Sequence, residues 1–144
     1  MENKIKQIPF SLRKISTEQF AVIENIFSED AGKVNISTGL AFGLDKDTRM
    51  LAVFVKINLL QNDKLFLILE SACHFQIENP SFESFINAES DKYTIPNGFA
   101  SHLAVISVGT ARGILHAKTE NSPLNRFMLP PLNLTELINE DVVL

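Results

Sequence analysis

From Val34 the chain alternates: Val34, Ile36, Thr38, Leu40, Phe42 and Leu44 hold the even positions, with small or polar residues between them. A period of two predicts a strand with one buried face. The polar run Asp45–Thr48 is turn chemistry, after which Leu51, Val53, Val55, Ile57 and Leu59 resume the period. Gln61–Lys64 turns again into Leu65, Leu67 and Leu69, then Cys73, Phe75 and Ile77. Three strands joined by short turns predict an antiparallel meander. Upstream, Phe10 and Leu12 run in one phase, Ile15 falls out of it, and Phe20 and Val22 resume. The phase change predicts a bulge or bend in a long strand at a sheet edge, connected to the meander by residues 27–32.

The period then lengthens. Asn79-Pro80 reads as a cap followed by the first residue of a helix of one or two turns. A real helix is predicted from near Ser101 to the proline-containing stretch after Thr119. Leu103, Ile106, Thr110, Gly113, Ile114 and Ala117 are read as one face, and Val105, Val108, Ala111 and Leu115 fill much of the rest. A helix apolar round most of its circumference is covered on two sides, and one sheet of four strands covers only one. The expected second cover is another copy of the chain. Gly109 and Gly113 agree, since each costs about 1 kcal/mol of helix propensity relative to Ala and a close-packed neighbour is the natural compensation. Near the end, Phe127, Met128, Leu129, Leu132 and Leu134 surround Pro130-Pro131. The prolines predict an extended approach to a short helix opening near Asn133 or Thr135, with Thr135 a candidate cap. Its apolar side is Leu134, Leu137 and Ile138.

Strands first and helices last is the order of an α+β fold: a four-stranded antiparallel sheet with a long helix and a short C-terminal helix packed on one side. The 144 residues suit a single domain spanning 1–144. The eleven Phe with one Tyr and no Trp supply aromatic surface without a polar handle, which suits dry packing or an apolar contact site. A net charge of −4 with thirteen scattered basic residues lacks the clustered footprint of a nucleic-acid binder. The first ten residues lack the apolar core of a leader, and the longest apolar runs fall short of the ~18 residues that span a bilayer. A cytoplasmic location is the expectation. Cys73 is the only cysteine, so no internal disulfide forms. Asn35 and Asn133 match the glycosylation pattern, which in that compartment is read as chance.

Catalytic chemistry leaves little trace. Cys73 and His74 are neighbours on a strand and point to opposite faces, so they are no nucleophile–base pair. His102 and His116 share a predicted helix but lie about 21 Å apart at 1.5 Å per residue. No phosphate-cradling glycine loop and no metal-spaced Cys/His set is present. The expectation is a protein that is not an enzyme and carries no metal or cofactor.

The order of elements resembles the SecB family of bacterial export chaperones. Four stretches between about Phe10 and Ile138 carry it. "FSLRKISTEQF" resembles the family's first strand, and "GKVNISTGLAFGLDKDTRMLAVFVKINL" its paired second and third. "LFLILESACHFQI" is similar to the fourth, and "VISVGTARGIL" with "LPPLNLTEL" to the long helix and the proline-led segment before the last one. The resemblance implies a homotetramer, a dimer of dimers with long helices between two sheets. It also implies an ATP-independent holdase whose grooves accept extended apolar segments of unfolded or export-bound polypeptides. Phe27, Leu132, Leu134, Leu137 and Ile138 are then the client-groove candidates. Leu103, Ile106, Gly109, Thr110, Gly113 and Ile114 are the oligomer-interface candidates. For the export motor SecA, the family's acidic docking positions fall near Gln19, Ile23 and Ile68, with Glu18, Glu24 and Glu70 as the nearest acids. These departures argue against a dedicated SecA partnership. The alternative from another class is a dedicated partner-binding protein on the same scaffold, such as a toxin–antitoxin-associated chaperone.

Overall fold

The computed structural model describes residues 7–144; residues 1–6, which hold most of the stretch read for a leader, lie outside it. Four strands form one antiparallel sheet: β1 (Phe10–Val22), β2 (Val34–Asp45), β3 (Met50–Gln61) and β4 (Lys64–Ile77), in the order β1-β4-β3-β2. The α+β expectation holds, and both β1 and β2 are edges.

Register explains the alternation. Leu40, Val55 and Ser71 are cross-strand partners, as are Phe42, Val53 and Cys73. Partners share a face, so the even row of β2 joins the odd rows of β3 and β4. The β3–β4 hairpin turns on Asn62 and Asp63, both with φ above +50°, the left-handed pair of a type I′ turn. The phase change in β1 is two bulges, at Arg13 and Glu18, where the pairing with β4 slips by one residue. Each slip moves the following residues to the other face. Ile15 therefore lies opposite Cys73 and Phe20 opposite Leu69, all toward the core side.

α1 (Asn79–Ser84) and the two-residue strand β5 (Thr94–Ile95) lead into α2 (Asn97–Thr119). Glu78, not Asn79, stands at the N-cap position of α1, and its side chain makes no capping bond. α2 opens four residues before the expected Ser101. Pro96 stands just outside its first turn, where a missing N–H costs nothing, and the Asn97 N–H donates to Asp141 Oδ1 at 2.9 Å. Ala100, Leu103, Ala104, Ser107, Val108, Ala111 and Leu115 of α2 are buried over β3 and β4. By length and mean hydropathy of 1.2, α2 is apolar enough to cross a membrane, which corrects the expectation that every apolar run is too short; Gly and Ser positions hid it. Here one side of the helix packs on the sheet instead.

A 3-10 turn (Pro123–Arg126), the short α3 (Leu134–Leu137) and β6 (Val142–Val143) complete the chain. Asn133 precedes α3, and Thr135 donates its hydroxyl to Asn133 Oδ1 at 2.7 Å, so Thr135 is not the cap. β6 pairs with β5, and Tyr93 and Leu144 exchange two backbone hydrogen bonds of 2.8 Å. The end of the chain thus caps α2 and closes its N-terminal side.

Leu103 shows what the helix–sheet contact is worth. It is wholly buried, and Leu103→Ala is expected to lower stability by about 3 kcal/mol, the usual cost of an unfilled leucine cavity. Urea denaturation checks this; a loss below about 1 kcal/mol would mean the site collapses without a cavity.

Candidate functional site

The connection from β1 to β2 is anchored by a buried polar residue. Gln61 ends β3, where the alternation turns its side chain inward, and it is nearly inaccessible. Its Nε2 donates to the carbonyls of Ser28 (2.8 Å) and Gly32 (2.9 Å), and its Oε1 accepts from the Ser28 N–H at 2.9 Å. Asn62 Nδ2 adds a bond to the Ala31 carbonyl at 2.9 Å. Gly32 has φ +113°, closed to other residues without strain. A loop held this way presents Phe27 in one place. Its ring packs 5.2 Å from Phe66 and 5.4 Å from Phe127, centroid to centroid. The Arg126 guanidinium lies 5.4 Å from the Phe27 centroid and 5.9 Å from that of Phe127, and pairs with Glu29. An exposed pair of this kind contributes about 0–1 kcal/mol, so the three rings do most of the holding.

The tail is fixed separately. Arg112 Nε donates to the Leu129 carbonyl at 3.0 Å and Nη2 to that of Pro130 at 3.3 Å. These bonds satisfy carbonyls that no regular structure uses. Beyond them Leu129, Leu134 and Ile138 are buried, Leu132 is half-buried, and Leu137 is 59% exposed. Between this tail and the core-side row of β2 lies a cleft of about 420 Å³, bounded by Thr38, Leu40 and Phe42 on one wall and by Leu137, Ile138, Asn139, Glu140 and Val142 on the other.

Of the groove candidates, Leu137 and Ile138 therefore line a cleft. Leu134 closes the core, Leu132 packs against it, and Phe27 sits in the aromatic cluster with Phe127 instead of lining the cleft. Sequence reasoning missed Thr38, Leu40 and Phe42, because alternation marks a covered face without saying how far the cover reaches. Among the interface candidates, Leu103 faces the chain's own sheet and is unavailable to a partner. Ile106, Thr110 and Ile114 are half-buried, while Gly109 and Gly113 are exposed with nothing within 4 Å of where a Cβ would stand. No element of the described chain crosses close over these glycines. Val105, not among those candidates, is 57% exposed on the same outward side.

The three acids stand in different settings. Glu18 sits in the second bulge and accepts from the Ser16 hydroxyl, Glu24 lies in the turn after β1, and Glu70 stands opposite Lys56. Cys73 is buried and His74 half-exposed on the opposite face, 3.1 Å from the Ser16 hydroxyl. Among the described residues, no three His, Cys, Asp or Glu stand close enough to hold a metal ion.

No family model and no curated protein matches the chain. Among solved structures, it is similar to a SecB-like chaperone of Mycobacterium tuberculosis in complex with a ChAD peptide from an antitoxin. The TM-score is 0.56 at 13% identity, covering 86% of this chain and 91% of that one. The fold is SecB-like. A Streptococcus agalactiae protein of unknown function aligns over 89% of this chain and all of its own, with 12% identity and a TM-score of 0.37, too low to bear on the fold. The SecB-like fold accounts for the two devices above. A long β1–β2 crossover and a tail behind the long helix are the segments this scaffold leaves outside its sheet and helix, and here each has its own anchor.

Gln61→Ala removes three hydrogen bonds from the crossover. A loss of about 1–3 kcal/mol is expected, from backbone groups left without partners. Hydrogen exchange should quicken across residues 24–33 before the strands respond. Unchanged exchange there would mean that the aromatic cluster alone holds the loop.

Proposed function

We propose that the chain is an ATP-independent chaperone of the holdase type, which binds extended apolar segments of unfolded polypeptides in the cleft between β2 and the tail. The cleft carries this reading. Its walls carry the Leu40, Phe42, Leu137, Ile138 and Val142 side chains, with Thr38, Asn139 and Glu140 among them; apolar contact is non-directional, so many sequences fit one surface. A buried client side chain contributes about 1.5–3 kcal/mol. A cytoplasmic location goes with this reading.

Self-association belongs to it. The outward side of α2 offers Val105, Ile106, Gly109, Thr110 and Gly113 without a carboxylate, and Ile15 of β1 beside it is 51% exposed. Two exposed glycines in a helix interior are destabilising unless a partner's backbone comes close. This supports a second copy across α2 and, with the SecB-like fold, a dimer of dimers. SecA docking is left out, because the family's acidic positions fall near Gln19, Ile23 and Ile68 in this chain and Glu70 faces Lys56.

One observation favours the alternative, a protein dedicated to a single partner: the SecB-like neighbour was solved with a peptide from one antitoxin. Suppression of aggregation of two unrelated unfolded proteins at equimolar ratio separates the readings. Protection of both supports the holdase, protection of one the dedicated partner, and protection of neither removes both. Leu137→Asp puts a charge into the cleft from an exposed position, and should weaken protection roughly tenfold or more at unchanged thermal stability. Equal protection by this variant would place the clients elsewhere.

Gly109→Leu tests self-association. The single chain has room for the side chain and should gain up to about 1 kcal/mol, while the mass from light scattering should fall below that of the parent. A parent that is already a monomer, or a variant of unchanged mass, would remove the α2 interface.

A further inference from the structure

A second cavity is larger than the cleft. It measures about 780 Å³ and lies at the other end of α2, where the start of β1 meets α1 and the first turns of α2. Phe10, Phe85 and Phe99 form its wall, with centroids 5.6 Å apart for Phe10 and Phe99 and 6.0 Å for Phe85 and Phe99. His102 stands 5.8 Å from Phe10. Its size lies within the ~300–1,000 Å³ of ligand pockets lined mainly by apolar and aromatic groups.

Across Pro9 and Phe10 a second recess, of about 400 Å³, adjoins it. Arg13, Arg49, Gln76 and Glu78 line this one. Arg13 Nε donates to Gln76 Oε1 at 3.0 Å, which orients the guanidinium and leaves its terminal N–H groups available. Among the described residues, no carboxylate lies within 4 Å of Arg13 or Arg49, Glu78 included. Arg49 has φ +57°, a conformation that turn chemistry normally gives to Gly or Asn. Its carbonyl accepts the Ile77 N–H at 3.1 Å, so the backbone is held in place. A long cation at such a position costs more than Gly or Asn would.

We infer that the two recesses are one docking site for an extended polypeptide segment that carries an aromatic side chain beside acidic residues. The ring enters the Phe10, Phe85 and Phe99 cavity, and the carboxylates meet Arg13 and Arg49. Charge complementarity selects this occupant. The chain is acidic overall at −4, yet these guanidiniums outnumber the single carboxylate of their recess, and the planar fork of Arg matches a carboxylate in bidentate geometry. The inference rests on the polypeptide-binding reading and adds a second contact with a sequence preference, which the apolar cleft lacks.

Fluorescence anisotropy with three short labelled peptides tests it: one with Phe beside Glu, one with Phe beside Lys, and one with Ser beside Glu. The first should bind the full chain roughly tenfold tighter than either other. Arg13→Glu with Arg49→Glu should abolish that preference, and Ser84→Trp, which fills the cavity from an exposed rim position, should weaken the first peptide alone. Equal binding of the three peptides, or indifference to both sets of substitutions, overturns the site. A fall in mass with Ser84→Trp also overturns it and assigns the cavity to a second copy of the chain. Aggregation suppression measured in parallel separates the two failures: if it persists without peptide discrimination, only this site is lost; if it too is absent, the reading beneath it is lost.

Discussion

The structure depends on one helix covering two strands. A helix is about 10–12 Å across with its side chains, whereas four strands at 4.7–4.9 Å present a wider surface. α2 lies over β3 and β4 and buries their odd rows completely, from Leu51 to Leu59 and from Leu67 to Ile77. The core-side rows of the edge strands are then left over. On the β2 side the tail brings Leu134 and Ile138 partly across. On the β1 side Phe99 meets Phe10 at the start of the strand and Lys118 lies over the Phe20 ring near its end, while Leu12 and Ile15 between them are 41% and 51% exposed. The cleft, the large cavity and the exposed stripe all arise from this mismatch of widths.

The crossover and the tail use different chemistry because they face different problems. The crossover must leave one sheet edge and reach the other, and its backbone has no ladder to join. Gln61 supplies the missing partners from within the core, where an unsatisfied amide would be costly. The tail follows a helix and must turn back along it. Arg112 holds its first carbonyls, and Pro130-Pro131 keep the next residues extended. Both segments are thus positioned by side chains that belong to the regular elements. The two segments gain rigidity from the core while remaining outside it.

The strands were legible because a half-buried sheet imposes a period of two, and the β1 bulges were legible as a break in that period. α2 was recognised as apolar all round, but its two sides were not told apart. Leu103 and Ile106 looked equivalent in the sequence, although one faces the sheet and the other its border. The start of α2 was misplaced because its cap, Asp141, comes from 44 residues away in the chain. For the same reason the cleft left no local signature. Its two walls, Thr38 to Phe42 and Leu137 to Val142, are far apart in sequence, and each alone reads as ordinary core. Gln61 and Arg112 looked like a turn residue and a helix surface charge, since their partners are backbone carbonyls that no residue pattern reveals.

The uncovered surfaces differ in shape, and shape decides what each can hold. Gly109 and Gly113 leave the outward side of α2 flat and low, so another rigid element can approach to backbone distance, as in close helix crossings. An extended chain would gain little there, because a flat surface buries only one side of it. The cleft beside β2 is concave, and Leu137 at its rim is free to adjust to different side chains. The cavity at Phe10 is larger and has cations at its edge. Apolar attraction alone would let all three surfaces compete for the same partners. Glycine flatness, a leucine rim and an arginine pair make the three surfaces chemically distinct.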